Sequence, residues 1–344
     1  MAEISSPGLA SRLVNGILSI KPLYAFAKHR ARAMMIERAE SLGVFWRDEL
    51  KKLQARGGGA AFSDEWARDL DSIRRPDLTY PDYYITSFHA YEEGNLGWLP
   101  AMEVESAAYA VHARIWPEAG IQGDARLRQS YHDVLKSQLP EDPKEILDMG
   151  CGVGMSTFTL QQIFPSAQMT GLDLSPYFLA IARYREQLRE EGRGAEGAEG
   201  VGGMGRSKSK IQNFPSTRTL NTPKSIQWIH APAEATGLPE VSFDLVSICL
   251  VFHELPEKAA VSIIREARRL LRPGGHLAIM DMNPQSEAFL TMPPYVLTLL
   301  KSTEPYLDQY FALGIEAALV DAGFHKPSIT VNSPRHRTVL AQAK

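Results

Sequence analysis

A glycine-rich turn with a carboxylate on either side is the first feature of this sequence that could do chemistry. Asp148, Gly150, Gly152 and Gly154 alternate with other residues after a short apolar run, and Asp173 lies nineteen residues past Gly154. Glycines let a ligand approach the backbone, and the start of a following helix presents free N–H groups. A carboxylate at the end of the next strand can accept hydrogen bonds from both hydroxyls of a ribose. The pattern therefore predicts a nucleoside-binding site.

The spacing of the glycines narrows the choice of ligand. A dinucleotide fingerprint needs a third glycine at position 155, where this chain has Met155, and the loop has no Gly-Lys-Ser/Thr run of a P-loop. A tight turn without a ligand would explain an isolated Gly-x-Gly. The loop, Asp173 and the segments after them occur in the order expected for a ligand-binding site, and this consistency favours such a site over a turn without a ligand.

Strands and helices alternate from Glu145 onwards, so this part of the chain can position the loop. The predicted strands span residues 146–148, 168–172, 226–230, 243–251, 276–281, 328–332 and 338–342. The helices predicted between them span residues 156–164, 176–190 and 257–271. Such alternation predicts an α/β fold with a doubly wound, Rossmann-like, parallel sheet and right-handed crossovers.

The first 140 residues have a different, mostly helical pattern. Helices are predicted within residues 8–56, with a break at Pro22 and a longer helix over residues 25–53 after it, and over residues 101–116 and 124–139. Residues 74–98 are predicted to be an ordered aromatic loop. The sequence therefore predicts an N-terminal helical domain or lid over residues 1–140 and a second domain over residues 141–344.

Two segments of the second domain depart from the strand–helix alternation. Seven of the fifteen residues from 191 to 205 are glycine, and the chain up to residue 224 is basic and poor in apolar side chains. Residues 191–224 are therefore predicted to be a flexible insertion, with a basic tail that contacts RNA as the alternative. Residues 285–322 are predicted to form a helical cover ahead of the last two strands.

Three motifs in this order resemble those of the class I S-adenosylmethionine-dependent methyltransferases. "LDMGCGVG" at 147–154 is similar to the family's first motif, "GLDLSP" at 171–176 to its acidic second motif, and "HAPAEATGLPEVSFD" at 230–244 to its third. The resemblance covers about residues 140–285 and implies a Rossmann-like sheet of seven strands with S-adenosylmethionine as the cofactor. The residues that it implies for cofactor binding are Asp148, Gly150, Cys151, Gly152, Gly154, Asp173, Leu174, Ala233, Glu234 and Leu250.

The third motif departs from the family pattern at one position. The family has there an acidic residue that meets the adenine amino group, whereas this chain has Pro232. The resemblance then implies that the backbone of Ala233 or the side chain of Glu234 makes this contact.

His253 is the candidate catalytic base. Methyl transfer is an in-line displacement that depends on alignment and exclusion of water, and an oxygen or carbon nucleophile also needs a base. His253 follows the fourth predicted strand, at the edge where open α/β sheets bind ligands, and an imidazole titrates near neutral pH. An equal alternative is that His253 only orders this loop or shapes the pocket wall. The reaction requires no metal, and we predict no metal site.

Aromatic side chains are candidates for covering the site. In the N-terminal part they are Tyr83, Tyr84, His89, Tyr91 and Trp98, and in the predicted cover they are Tyr295, Tyr306 and Tyr310. Cation–π attraction to a sulfonium would favour such a lid. Core packing explains most aromatic clusters, so we expect only one or two of the N-terminal ones to reach the site.

The acceptor is predicted to be a small molecule, and the resemblance implies quinones, sterols and polyketides, which include lipophilic acceptors. Family members that methylate nucleobase or glutamine nitrogens carry Asn/Asp-Pro-Pro-Tyr/Phe after the fourth strand, whereas this chain has Val251-Phe252-His253-Glu254. A protein or RNA methyltransferase stays open as an alternative. So does a non-catalytic assembly factor that binds S-adenosylmethionine.

Composition limits the partners and the compartment. The 344 residues carry a formal net charge of −3 and two cysteines, Cys151 and Cys249, so neither nucleic acid nor a disulfide framework is expected. The sequence shows neither an apolar run of about 18 residues nor a signal-peptide pattern, so we expect neither a membrane span nor a secretory leader. We expect a cytoplasmic protein, or a plastid stromal one if a transit peptide was removed, and not a secreted one.

The N-terminal helices are basic. The first 60 residues carry ten Lys or Arg and five Asp or Glu. Such helices could lie on an anionic membrane surface, or they could pack on the protein's own core with a solvated basic face.

Overall fold

A seven-stranded sheet lies at the centre of the computed structural model, which describes residues 21–56, 62–87, 91–198 and 224–344. Its strands are β1 (Glu145–Met149), β2 (Gln168–Asp173), β3 (Gln227–His230), β4 (Phe243–Cys249), β5 (Leu271–Met282), β6 (Ser328–Val331) and β7 (His336–Gln342). They are ordered β3-β2-β1-β4-β5-β7-β6. The predicted Rossmann-like α/β fold is confirmed.

The sheet is mixed: the strand–helix alternation predicts parallel strands, and this is confirmed for the first five. β1 to β5 run parallel, whereas β7 is antiparallel to both β5 and β6. The connection between β6 and β7 is only residues 332–335. A link this short joins antiparallel strands, because a parallel crossover needs a dozen or more residues.

Helices cover both faces of the sheet and extend ahead of it. Those before the sheet are α1 (Lys21–Ser41), α2 (Trp46–Gln54), α3 (Glu65–Ile73), α4 (Trp98–His112) and α5 (Gly123–Gln138). Those within and after it are α6 (Met155–Ile163), α7 (Pro176–Ala198), α8 (Glu257–Leu270), α9 (Glu287–Leu290), α10 (Pro294–Thr303), α11 (Leu307–Ala312) and α12 (Ile315–Asp321). Within the described residues, no helix is long and apolar enough to cross a bilayer.

The apolar strands supply one core to each face of the sheet. Neighbouring residues of β1 illustrate this, because Ile146 packs in one core and Leu147 in the other, and both are fully buried. Successive side chains of a strand point to opposite faces, so a parallel strand covered by helices on both sides is apolar throughout.

Three predicted helices have different bounds in the structure. The helix expected from residue 25 to 53 is divided into α1 and α2 at Gly43, whose φ of +88° is left-handed and ends the first helix; residues 1–20 lie outside the described residues. The helix expected to end at residue 116 ends at His112. α7 continues to Ala198, eight residues into the predicted insertion, and residues 199–223 lie outside the described part.

The N-terminal helices pack against the sheet domain. Trp66 of α3 and Met102 of α4 share a core with Phe178 and Ile181 of α7. The predicted division at residue 140 stays a prediction. The contact places the segment between α3 and α4 above the carboxyl ends of β2 and β3.

Candidate active site

The glycine loop between β1 and α6 has a backbone that only glycine adopts easily. Gly150, Gly152 and Gly154 have φ angles of +75°, +54° and +83°. The N–H of Gly150 donates to the carbonyl of Leu172 at 2.7 Å, which ties the loop to β2. A Cβ at position 150 would lie 2.7 Å from Cγ2 of Val251, whereas one at position 152 would meet nothing closer than 3.8 Å. The centre of the loop therefore has free space beside it.

Asp173 supports this loop from the end of β2. Its Oδ2 accepts the N–H of Gly152 at 2.7 Å, and its Oδ1 accepts the N–H of Ser175 at 2.8 Å. Burial outweighs these hydrogen bonds and raises the pKa of Asp173 to about 6. Each carboxylate oxygen has a second lone pair, so Asp173 can support the loop and still accept ribose hydroxyls.

Two predicted site residues each have a buried carboxylate oxygen without a hydrogen-bond partner in the described part of the chain. Asp148 accepts the hydroxyls of Ser156 and Thr157 at 2.6 Å with Oδ2, while its Oδ1 has no hydrogen-bond partner among the described residues. Glu234 accepts the hydroxyl of Tyr83 with Oε1, and its buried Oε2 is likewise unpaired in that part of the chain. A buried acceptor without a donor is costly, so each oxygen fits a ligand N–H. S-adenosylmethionine carries such groups at its ammonium and its adenine amine.

The predicted residues follow one another along the carboxyl edge of the sheet. Glu234 comes after β3, Asp173 ends β2, Asp148 lies on β1, and Leu250 and His253 follow β4. These four strands are neighbours in the order β3-β2-β1-β4. The cofactor would therefore have its adenine near Glu234, its ribose at Asp173 and its methionine part over β1, with the acceptor beside His253.

The other predicted cofactor residues contribute mainly to the shape of the site. Leu250 is a non-glycine residue with a left-handed φ of +59°, held by its N–H bond to the carbonyl of Met280 at 2.8 Å. Such strained backbone persists where neighbours hold it and is common at functional sites. Cys151 and Leu174 are buried, and Ala233 is half-buried against the core. Burial raises the pKa of the Cys151 thiol well above its usual value.

His253 forms a buried pair with Asp281 of β5. Its Nδ1 lies 2.7 Å from Oδ1 of Asp281, whose Oδ2 accepts the N–H of Phe252 at 2.8 Å. Burial disfavours the imidazolium, but the charge and hydrogen bond of Asp281 outweigh it and raise the pKa of His253 to about 10. The same pairing outweighs burial at Asp281 and lowers the pKa of its carboxyl. The second ring nitrogen, Nε2, lies 4.0 Å from Oε1 of Glu254.

Sequence reasoning missed Asp281. The only signal for it was a lone carboxylate that follows the apolar strand residues of "HLAIMD", and strand order alone does not say which side chain it meets.

Three of the predicted aromatic residues lie at or beside the site residues, two from the N-terminal part and one from the cover. Tyr83 donates to Glu234, and its ring centroid is 6.4 Å from that of Tyr306 in the cover. Burial and the charge of Asp173 raise the pKa of Tyr84 well above its usual value. Tyr83, Tyr84 and Tyr306 thus form an aromatic wall over this edge of the sheet.

The remaining predicted aromatic residues lie elsewhere or outside the described residues. Tyr91 bonds to a buried glutamate of α4, and Trp98 packs against the start of α7. Tyr310 is buried and donates to a backbone carbonyl at the end of β5, whereas Tyr295 is 53% exposed. His89 is outside the described residues.

Two polar side chains that sequence reasoning missed attach the N-terminal segment to the site. His230, at the end of β3, accepts the N–H of Arg75 at 2.9 Å with Nδ1, and its Nε2 lies 3.1 Å from the carbonyl of Leu174. The hydroxyl of Ser175 donates to the carbonyl of Asn95 at 2.6 Å. These bonds hold both ends of the aromatic segment against β2 and β3, and nothing in their local sequence pattern indicated it.

Comparison with known proteins matches this part of the chain to methyltransferases. Two family profiles described as "Methyltransferase domain" match residues 146–199 and 203–279. The demethylmenaquinone methyltransferase of Thermus thermophilus is 29% identical over 163 residues, which are 47% of this chain and 56% of that protein. The ubiquinone biosynthesis O-methyltransferase of Xanthomonas oryzae is 27% identical over 180 residues, 51% of this chain and 60% of that protein.

A third relative is named for a different kind of acceptor. The release factor glutamine methyltransferase of Deinococcus radiodurans is 27% identical over 232 residues, 67% of this chain and 72% of that protein. The chain therefore spans less than two-thirds of the length of the two quinone-named relatives and somewhat more of this one.

The fold, the glycine loop and the two profile matches together define a class I methyltransferase domain. The matched residues are thereby identified as part of a class I S-adenosylmethionine-dependent methyltransferase domain, a class whose cofactor is S-adenosylmethionine.

Proposed function

We propose that this protein transfers a methyl group from S-adenosylmethionine to a small, lipophilic acceptor held beside His253. The observation that carries this proposal is the buried His253–Asp281 pair, which follows the cofactor loop along the sheet edge. A domain that only bound the cofactor would have no need of a buried imidazole–carboxylate pair at the acceptor end. Two buried charges are retained at a cost in desolvation.

The chain's own residues align the acceptor and move its proton. Bound S-adenosylmethionine supplies an electrophilic methyl group on a sulfonium, whose positive charge favours the neutral form of a nearby imidazole. Asp281 holds Nδ1 of His253, and Nε2 is then the ring nitrogen that would face the acceptor. An acceptor aligned beside His253 would form its bond to the methyl carbon while the carbon–sulfur bond broke, and the electron pair of that bond would remain on sulfur. Nε2 takes the acceptor's proton, and Asp281 stabilises the resulting imidazolium.

The acceptor class rests on the relatives and on the loop after β4. Two relatives are named for quinone biosynthesis, and their acceptors are carried over here only as a proposal. The relative named for a release factor glutamine favours a protein acceptor instead. The sequence Val251-Phe252-His253-Glu254 stands against that alternative, because it lacks the Pro-Pro-Tyr/Phe run expected for amide nitrogen.

Peripheral membrane contact is part of this proposal. Its support is the excess of ten basic over five acidic side chains in the first 60 residues. Leu290 on the cover is 72% exposed, which adds an apolar side chain to the surface. Lipophilic acceptors partition into membranes, so such contact would deliver them to the site.

Label transfer from methyl-labelled S-adenosylmethionine tests the proposal. The protein is incubated separately with a hydroxylated naphthoquinol, a hydroxylated benzoquinol and a total protein extract, and label is counted in the organic phase and in precipitated protein. We expect label in the organic phase, at a rate that falls about 10²- to 10⁴-fold in His253→Gln. Label confined to protein would support the protein acceptor. Cofactor binding without any label transfer would support a binding factor.

A further inference from the structure

Three arginines from separate parts of the chain form one charged cluster at the surface. Arg38 lies on α1, Arg114 follows α4, and Arg335 belongs to the turn between β6 and β7. The first two are exposed and the third is half-buried. Partial burial and the positive charges of Arg38 and Arg335 lower the pKa of Arg114, so the other two arginines lie close enough to act on it.

Two packing contacts bring these parts of the chain together. Ala39 of α1 and Ala110 of α4 are buried in one small core. The ring centroids of His112, at the end of α4, and His336, at the start of β7, are 6.1 Å apart. Each of these four residues is within four positions of one of the arginines. The fold itself therefore assembles the cluster.

The cluster has no acidic partner in the described part of the chain. Two carboxylates of the neighbouring segments, Glu40 and Glu118, form salt bridges with other arginines. Glu37 is exposed beside Arg38 along the chain, and no salt bridge joins the two side chains. Three cations and one unpaired carboxylate leave this surface with a net positive charge, which is complementary to an anionic partner.

Exposed apolar side chains lie beside the cations. Met34 is 57% exposed and lies one turn before Arg38 on the same face of α1. Val111 is 46% exposed, and its carbonyl accepts the N–H of Arg114 at 3.2 Å. Basic and apolar side chains on one surface are typical of proteins that lie on an anionic bilayer. A nucleic acid would use the charges but would gain little from the apolar side chains.

This surface lies at the same edge of the sheet as the buried histidine pair. The carbonyl of Arg335 accepts the N–H of Asn283 at 2.7 Å, and Asn283 is two residues past Asp281 at the end of β5. A bilayer in contact with this surface would therefore lie near the edge of the sheet where the acceptor is proposed to bind.

We propose that the surface formed by Arg38, Arg114, Arg335, Met34 and Val111 docks this protein on a membrane that contains anionic lipids. The arginines bind lipid phosphates, and the two apolar side chains enter the headgroup region. This inference rests on the proposed function and deepens it, because it assigns the membrane contact to a defined surface of the fold. The contact then depends on the folded surface and not only on the excess of basic residues near the N-terminus.

Sedimentation of the full chain with vesicles tests this proposal. Vesicles of phosphatidylcholine alone are compared with vesicles of phosphatidylcholine and phosphatidylglycerol in equal amounts. We expect binding to the mixed vesicles only, and weaker binding as added NaCl screens the charges. An arginine near an anionic bilayer contributes about fivefold in affinity, so Arg38→Gln/Arg114→Gln/Arg335→Gln should weaken binding about 100-fold. Met34→Ser/Val111→Ser should weaken it about tenfold, because less apolar surface is buried.

Two control variants keep the test specific. The triple variant with lysine in place of each of the three arginines retains the charges and should bind mixed vesicles within a few-fold of the wild type. Arg265→Gln removes an exposed arginine of α8, whose Ile264 belongs to the core on the opposite face of the sheet from Ile115. It should bind as the wild type does. Circular dichroism checks that each variant is folded, which we expect because the replaced arginines have no ion pair to lose.

Several outcomes would overturn the docking surface. They are wild-type affinity in the folded triple glutamine variant, equal binding to both kinds of vesicle, and no vesicle binding at all. Binding to transfer RNA in place of vesicles, lost in the same variant, would assign the surface to nucleic acid and would also overturn it.

A second assay separates this inference from the proposed function. Label transfer from methyl-labelled S-adenosylmethionine is measured with a quinol dispersed in detergent, where the triple glutamine variant should match the wild type. Failed vesicle binding with intact label transfer overturns the docking surface alone. Absence of label transfer in the wild type overturns the proposed function.

Discussion

Replacing Asp281 by asparagine tests the buried pair at the centre of the proposed site. The pKa of His253 is about 10, against 6.5 for an unperturbed imidazole. This difference of about 3.5 corresponds to about 5 kcal/mol in favour of the imidazolium. Asparagine keeps the side-chain shape and an acceptor oxygen for the N–H of Phe252, but it removes the charge. Burial then dominates and should bring the pKa of His253 below 6.5.

Nuclear magnetic resonance of the labelled ring nitrogens of His253 measures this pKa directly. In the wild type the imidazolium should persist to about pH 10, and in Asp281→Asn it should be absent at pH 7. Urea unfolding at that pH should show a loss of about 3–5 kcal/mol, the cost of removing one partner from a buried pair. Asp308→Asn is the matched control, because that carboxylate is exposed and pairs with Lys301. A wild-type His253 that titrates near 6.5, or a pKa unchanged by Asp281→Asn, would refute the reasoning.

Three further predictions concern the His253–Asp281 pair, the glycine loop and the Tyr83–Glu234 contact. The folded-state pKa of His253 lies above its unfolded value, so the stability that the pair adds is fully present below pH 6.5 and is lost as the pH rises through about 10. Urea titrations should therefore show that the difference in unfolding free energy between the wild type and His253→Gln falls between pH 6.5 and about 10, by at most about 1.4 kcal/mol per pH unit. A difference that stays constant over this pH range would contradict the pairing. Gly150→Ala should lower the free energy of unfolding by about 1–3 kcal/mol more than Gly237→Ala, because both residues have a positive φ but only the first Cβ would meet Val251; equal losses would show that the Val251 contact does not matter. Tyr83→Phe removes the hydroxyl bonded to Glu234 and should change calorimetric affinity for S-adenosylhomocysteine by about 2- to 12-fold at unchanged fold, whereas identical affinity would place Tyr83 outside the cofactor site.

The sheet was predictable because its signals are local. β1, β2 and β4 are apolar runs bounded by turn residues, and each lies at or near its predicted range. Helix bounds were less certain, since they depend on competing tendencies. The glycines after residue 191 each disfavour a helix by about 1 kcal/mol, which does not forbid one, and α7 continues through the first of them.

The partners within the site could not be read from local pattern. His253 and Asp281 are 28 residues apart and meet through the pairing of β4 with β5, which sets Cys249 opposite Met280. The register of this pairing shifts between Phe243 and Leu245, and no sequence pattern indicated the shift. Arg128 reaches Cys249 across 121 residues, and only helix packing on the folded sheet brings them together.

Equilibrium binding of S-adenosylhomocysteine and of NAD, measured by calorimetry on the wild type and on Asp173→Ala, tests the central claim most directly. We predict that the wild type binds S-adenosylhomocysteine and not NAD. We also predict that affinity falls at least about tenfold in folded Asp173→Ala, because that carboxylate supports the loop through Gly152 and is placed to accept ribose hydroxyls. Binding of NAD, or no binding of S-adenosylhomocysteine by folded wild-type protein, would contradict the account.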